Sequence, residues 1–206
     1  GEHRASTLRD LAHGLRFADA LDQIEIVNVM VAAGDVPAPV RTVQHFGLAF
    51  TQTSKHVRSG VLHPDQVPFI VELARLANGS AEFAPIFSVI DCTISPLMHD
   101  GPMTAACIEL AKLGVSIMVY PMPLAGGTSP VTPGGTILLH NVEFLSGLVL
   151  FQLVNPGTPI IYGTGASQLD MLTGRFGGSA DGHAMRLALC DLARFYNLPV
   201  NLWGLS

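Results

Sequence analysis

A chain of 206 residues that is 49% hydrophobic and 13% charged is long enough for one domain with a substantial core and too apolar for a disordered segment. Its formal net charge is −5 and it holds no run of Lys or Arg, so neither nucleic acid nor an anionic membrane surface is expected as a partner. It falls short of the roughly 250 residues of a complete eight-unit strand–helix barrel.

The predicted elements alternate along the chain. A helix is expected near 7–20, followed by a strand at IEIVNVMV (24–31). A second helix is expected near 37–46, and LAFTQTS (48–54) is a strand candidate with a poorer pattern. His63-Pro64-Asp65 opens a helix that runs to Gly79, with Pro64 suited to a first turn. IFSVIDC (86–92) reads as a strand, bounded and apolar. Asp100-Gly101-Pro102 opens the next helix, which stops at Gly114. VSIMVY (115–120), a long helix over about 134–154, TPIIYG (158–163), a helix over about 181–196 and PVNLWGL (199–205) complete the series.

Strands apolar on both faces and separated by helices predict an α/β fold, a parallel sheet covered by helices. About six strand–helix units are counted, with no linker, charge block or repeat, so residues 1–206 are expected to form a single domain. Two architectures fit: an open doubly wound sheet, or a (β/α)8 TIM-type barrel of which this chain holds about six units. The last strand reaches Ser206 with no helix after it, which suits a piece of something longer. Cys92, Cys107 and Cys190 are far apart and form no metal spacing. Reduced, mostly buried thiols in a cytoplasmic protein are expected. The N-terminal GEHRASTLRD is polar and predicts no signal peptide. The apolar stretch 137–154 contains His140, Asn141, Glu143 and Gln152, so a buried helix is expected there rather than a membrane span.

In parallel α/β folds, function gathers in the loops after the strands. One such loop, PMPLAGGTSPVTPGGT (121–136), is uncharged and rich in Gly, Pro and Thr. It matches no GxGxxG or GxxxxGK[ST] phosphate motif. No Lys or Arg occurs between Lys112 and Arg175, where the charges are Glu143 and Asp170. A site here is expected to suit a neutral or cationic ligand. Its glycines either turn the chain or let something approach the backbone closely. Tyr120 and Tyr162 end two strands and Trp203 lies late in a third; in a barrel these positions would share one mouth, and aromatic faces attract quaternary ammonium groups. Lys55 follows a possible strand, where it is either a Schiff-base nucleophile or a surface lysine. His140 and Glu143 share a helix face, without the further ligands a metal site needs. Asp91 is either a pocket acid or a cap.

The run PMPLAGGTSPVT, then HNVE, QLVNPGTPIIYG and LDMLTG, resembles the trimethylamine methyltransferase (MttB-type) superfamily. TSKHV, ISPL and ARFYNLPV fit the same pattern. The resemblance covers nearly the whole chain, and 121–174 is its most specific part. It implies an incomplete (β/α)8 barrel and methyl transfer from a methylated amine to the cobalt of a corrinoid on a partner protein. No pyrrolysine appears, which is similar to the branch acting on quaternary amines such as betaines. Two departures stand out: GRFGGSADGH where a Gly-x-Pro-Glu segment is usual, and Leu172 where Arg is common. The implied site has Tyr120, Met122, Tyr162, Trp203 and Asp91 around the substrate. Gly126, Gly127, Thr128, Gly163 and Thr164 would lie near substrate or corrinoid, with His140 and Glu143 behind them and no metal. A homo-oligomer is expected.

Overall fold

The computed structural model describes residues 4–79, 86–175 and 179–202. Helix α1 (Leu8–Asp19) begins at Thr7, whose hydroxyl and the Asp10 carboxylate form a reciprocal capping box. Strand β1 (Ile26–Asn28), helix α2 (Ala38–Gln52) and strand β2 (His56–Gly60) follow. A 3₁₀ turn, Pro64–Gln66, leads into α3 (Val67–Asn78), which ends where Gly79 takes a left-handed φ of 65°. Strand β3 (Phe87–Asp91) is followed by a small antiparallel ladder, β4 (Thr93–Ile94) with β5 (Met98–His99). Asp100 caps α4 (Gly101–Lys112) by accepting from the Met103 amide. Strand β6 (Ser116–Val119) and β7 (Leu124–Ala125) precede α5 (Pro133–Val154), capped by Thr132. Strand β8 (Ile160–Thr164), β9 (Ser167–Gln168), α6 (Ala180–Phe195), capped by Ser179, and β10 (Val200–Leu202) complete the described chain.

The main sheet runs β1-β2-β3-β6-β8-β10, and every pair is parallel. The order follows the chain without reversal. A doubly wound sheet needs a reversal point, so that alternative is excluded. The two edge strands, β1 and β10, both contribute to one cavity: Asn28 from the first, Asn201 and Leu202 from the second. The sheet therefore curls toward itself as a half-barrel, the expected partial TIM-type barrel.

Side-chain alternation along the strands sorts the residues into two layers. Val57, Phe87, Val89, Ile117, Val119 and Ile160 face the helices and join the core with Leu11, Leu15, Phe46, Ile70, Leu110 and Phe144. Burying each such side chain contributes about 1.5–3 kcal/mol. Phe46 meets Phe87 edge-on, with centroids 5.4 Å apart. Arg58, Ile90 and Met118 point the other way, into the hollow of the half-barrel. Gly147 lets α5 lie tightly on β6: a Cβ there would sit 2.8 Å from Val119 Cγ1.

Two expectations are corrected. LAFTQTS is not a strand; residues 48–52 extend α2, because Thr42, His45, Phe46 and Ala49 continue one buried face. The strand lies just beyond, at HVRSG. Nor is α5 buried all round. It is the one helix among the described residues long and apolar enough to cross a membrane, yet it packs in the half-barrel, with His140, Glu143, Phe144 and Phe151 buried and Leu138, Val142, Val149 and Leu153 exposed on the other side.

Candidate functional site

The hollow opens where the main strands end. A cavity of about 420 Å³ there is lined by residues of β1, β2, β3, β6 and β10 and by Tyr120 and Met122 of the loop after β6. That is a suitable size for a small molecule. Tyr120 and Met122 form one wall. Arg58 lies on the β2 side, 5% exposed, its Nε donating to Asn28 Oδ1 at 2.9 Å and one Nη 3.3 Å from Met118 Sδ. Burial holds the Arg58 guanidinium below its usual pKa, with Tyr120 acting in the opposite sense. Burial also pushes the Tyr120 phenol up to about 12, so it is neutral at ordinary pH.

Two glycines, Gly163 in β8 and Gly165 just after it, position that wall. A Cβ on Gly163 would fall 2.2 Å from Tyr120 Cδ2 and 2.8 Å from the Val119 carbonyl. On Gly165 it would fall 2.4 Å from the Pro121 carbonyl and 2.8 Å from Met122 Cγ. Gly163 is thus a seat for Tyr120, and Gly165 one for Met122. The close approach that the glycine-rich pattern suggested is here chain against chain. Thr164 is fully buried and donates to the Asn201 carbonyl, tying β8 to β10.

Gly126, Gly127 and Thr128 do not line this cavity. They build a turn in which the amides of Gly127, Thr128 and Ser129 all donate to the Leu124 carbonyl and that of Gly126 to Ser129. Gly126 has a φ of 80°, which favours glycine. With its amides used internally, the loop offers no phosphate cradle.

Tyr162 is a correction. It shares the helix-facing side of β8 with Ile160, is fully buried, and lies 4.0 Å from Phe144 between ring centroids. Its hydroxyl donates to Asn141 Oδ1, whose amide donates to Tyr196. Tyr120 and Tyr162 therefore do not share one mouth. Trp203 lies outside the described residues.

Asp91 likewise faces outward. Its Oδ1 accepts from Thr104 of α4, and Oδ2 lies 3.7 Å from His99 Nδ1. Burial raises the pKa of this carboxyl, while the Thr104 bond opposes the rise. His140 and Glu143 do not pair. Burial pushes His140 down to about 3, so it is a neutral ring behind Tyr162. Glu143 accepts from Thr93 Oγ1 at 2.6 Å, Ser95 Oγ at 2.8 Å and the Leu97 amide at 2.9 Å. It ties the loop after β3 to α5. Lys55 precedes β2, at the end of the strand away from the mouth, and its Nζ donates to the Ala18 and Leu21 carbonyls at the end of α1. That position removes the Schiff-base reading. All three cysteines are free, two of them buried.

Sequence reasoning missed Arg58 and Asn28. The expectation of a site without cations came from one uncharged loop; Arg58 enters the cavity from a different strand.

A model of the family described as trimethylamine methyltransferase (MTTB) matches residues 1–205. The chain belongs to this family. Among similar members is the trimethylamine methyltransferase MttB of Desulfitobacterium hafniense strain DCB-2, 34% identical over 96% of this chain and 41% of its own length. The glycine betaine methyltransferase of D. hafniense strain Y51 is 29% identical over 99% of this chain and 44% of its own. The trimethylamine methyltransferase MttB of Methanosarcina thermophila is 32% identical over 94% and 41%. The chain thus spans about two fifths of the length of these relatives.

Proposed function

We propose that this chain forms part of a cytoplasmic methyltransferase that takes a methyl group from a methylated amine bound in the half-barrel cavity. The observation that carries the reading is a small-molecule cavity at the strand ends, walled by Tyr120, Met118 and Met122, in a chain of the trimethylamine methyltransferase family. Tyrosine faces attract ammonium groups by about 0.5–2 kcal/mol, and the two methionines offer apolar, polarizable contacts for N-methyl groups.

The acceptor in this reading is a corrinoid on a partner protein. The cavity of about 420 Å³ admits a small amine but not a corrin macrocycle. Met30, Leu62, Met122, Met171 and Leu172 are exposed on the loops after β1, β2, β6 and β9. Those apolar side chains would bear on the corrinoid. A reduced corrinoid supplies the nucleophile for the methyl carbon. The chain's own side chains orient the amine, direct one methyl toward the opening and keep water from the other faces. A quaternary nitrogen departs as a neutral amine, so no acid need protonate it; among the described residues the lining holds no carboxyl or imidazole group, and the Tyr120 phenol, pushed up to about 12, is a weak acid.

The test mixes the complete protein with reduced cobalamin or a candidate corrinoid protein and adds glycine betaine, carnitine, proline betaine and trimethylamine in turn. Loss of the reduced-cobalt absorbance with one amine is the expected result. Binding of an amine without any spectral change would instead indicate a non-catalytic amine-binding protein. Neither binding nor change with any of the four would refute the methyl-transfer reading for these substrates.

A further inference from the structure

Ser146, His99 and Asp91 stand in a row outside the hollow, and none of them lines the cavity at the strand ends. Ser146 is exposed on α5. Its Oγ lies 2.9 Å from His99 Nε2 at the end of β5. Across the ring, His99 Nδ1 lies 3.7 Å from Oδ2 of Asp91, the last residue of β3. Exposure falls along the row: Ser146 meets water, the His99 side chain is 30% exposed and that of Asp91 is fully buried. Asp91 Oδ2 and His99 Nδ1 are both buried atoms with no hydrogen-bond partner elsewhere.

An orphaned buried polar atom is unfavourable, so these two atoms have only each other. Their separation is just beyond hydrogen-bond length, a looseness usual in catalytic groups before a ligand tightens them. With Nδ1–H turned to Asp91, Nε2 keeps its lone pair for Ser146, whose hydroxyl donates. A nucleophile, a general base and a group that orients the base are then in place, an arrangement recognised by geometry and not by fold. The frame around it is fixed. Glu143, one helical turn before Ser146, accepts from Thr93, Ser95 and Leu97 and holds the β4–β5 ladder that carries His99 against α5. Gly147, the next residue, seats α5 on Val119. A cavity of about 100 Å³ opens beside Ser146 and His99, with Leu97, Met98 and Val142 as its apolar lining.

We propose that Ser146, His99 and Asp91 form a second site, which cleaves esters of short aliphatic acids by acyl transfer through Ser146. Ser146 Oγ bonds to the carbonyl carbon as its proton passes to His99 Nε2. The bond from that carbon to the alkoxy oxygen breaks, and His99 returns the proton to the departing alcohol. Water then repeats both steps on the acyl-serine and releases the acid. The small apolar cavity takes the acyl chain. Asp91 is a positioning residue that holds the ring. This activity goes beyond methyl transfer and does not depend on it.

The test incubates the complete protein with p-nitrophenyl acetate and follows nitrophenolate release, intact mass and peptide mapping. An acetyl adduct on Ser146 is expected, with the acetate favoured over the octanoate by at least about tenfold. Ser146→Ala removes the adduct; the position is exposed, so the variant keeps the wild-type Tm. His99→Gln slows acylation by about a hundredfold. Nitrogen-15 NMR of the wild type reads the His99 tautomer without any variant, and the proton is expected on Nδ1. Asp91→Asn loses that preference and slows acylation, a spectroscopic change that loosening of α4 alone would not produce. No adduct on Ser146, an acylation rate unchanged in His99→Gln, or the proton on Nε2 in the wild type would each overturn the proposal.

Discussion

Removing Glu143 offers a direct measure of what holds the loop after β3. The carboxylate accepts three hydrogen bonds, from Thr93 Oγ1, Ser95 Oγ and the Leu97 amide, at 2.6, 2.8 and 2.9 Å. These donors differ in what they lose. Thr93 is buried, Ser95 is half-buried and Leu97 is exposed, so in Glu143→Ala the Leu97 amide regains water and the Thr93 hydroxyl does not. An orphaned buried donor costs about 1–3 kcal/mol, and the half-buried Ser95 adds a smaller share. The expected destabilisation is about 3 kcal/mol, which for a chain of this length lowers Tm by roughly 10 °C. Glu143→Gln keeps an oxygen for Leu97 and presents an amide that the two hydroxyls can accept from, so it should cost only about 1 kcal/mol. Urea unfolding of both variants measures the difference. A Thr93→Val background tests the assignment, because it removes the hydroxyl that would be orphaned and should shrink the effect of Glu143→Ala. Equal losses in the Ala and Gln variants, or a loss below about 1 kcal/mol in Glu143→Ala, would refute the clamp.

Three further outcomes are expected. His140 has a folded pKa near 3 because it is buried, against about 6.5 when unfolded, so the unfolded chain binds more protons between those values. Its stabilising contribution is complete above pH 6.5 and is lost as pH falls toward 3; urea unfolding at pH 7.5 and 5 should show a loss of about 2 kcal/mol that His140→Gln largely abolishes. An unchanged pH slope in that variant would disprove it. Gly163→Ala drives a methyl into Tyr120 and the Val119 carbonyl and should cost at least about 2 kcal/mol while weakening ligand binding, whereas Gly101→Ala, with nothing within 4 Å, should change neither. Tyr162→Phe leaves Asn141 Oδ1 without its donor and should cost about 1 kcal/mol in thermal unfolding, with ligand affinity unaffected; a loss of affinity would return Tyr162 to the cavity wall.

Most of the fold was legible because the chain is well punctuated. Pro64, Gly79, Asp100, Gly114 and Asn155-Pro156-Gly157 bound helices and strands that the structure places within a few residues of the reading. Strand β2 escaped because HVRSG carries Arg58 on its inward side, and a polar residue facing a cavity looks the same in sequence as one facing water. The site was harder for a related reason. TPIIYG is apolar on both faces, so nothing in it says that Tyr162 turns toward α5 while Gly163 turns inward. Asp91 failed likewise: it is one residue from Ile90, and that single step separates the helical layer from the hollow. Glu143 was expected behind the substrate site; its three donors, about fifty residues away, could not be read from the sequence.

The sheet is wound in chain order, and that has a bearing on how it is made. Domains emerge during synthesis from the N-terminus, and here each new strand lands beside the one just completed. The concave surface of the growing half-barrel is exposed throughout. It carries Asn28, Arg58 and the His56–Ser88 pair among its apolar residues, so part of the face that the nascent sheet shows to water is polar. The cavity comes into being only when β10 arrives within reach of β1. The polar residues that line the cavity are thus, at an earlier stage, the part of the unfinished sheet's inner face that water can solvate.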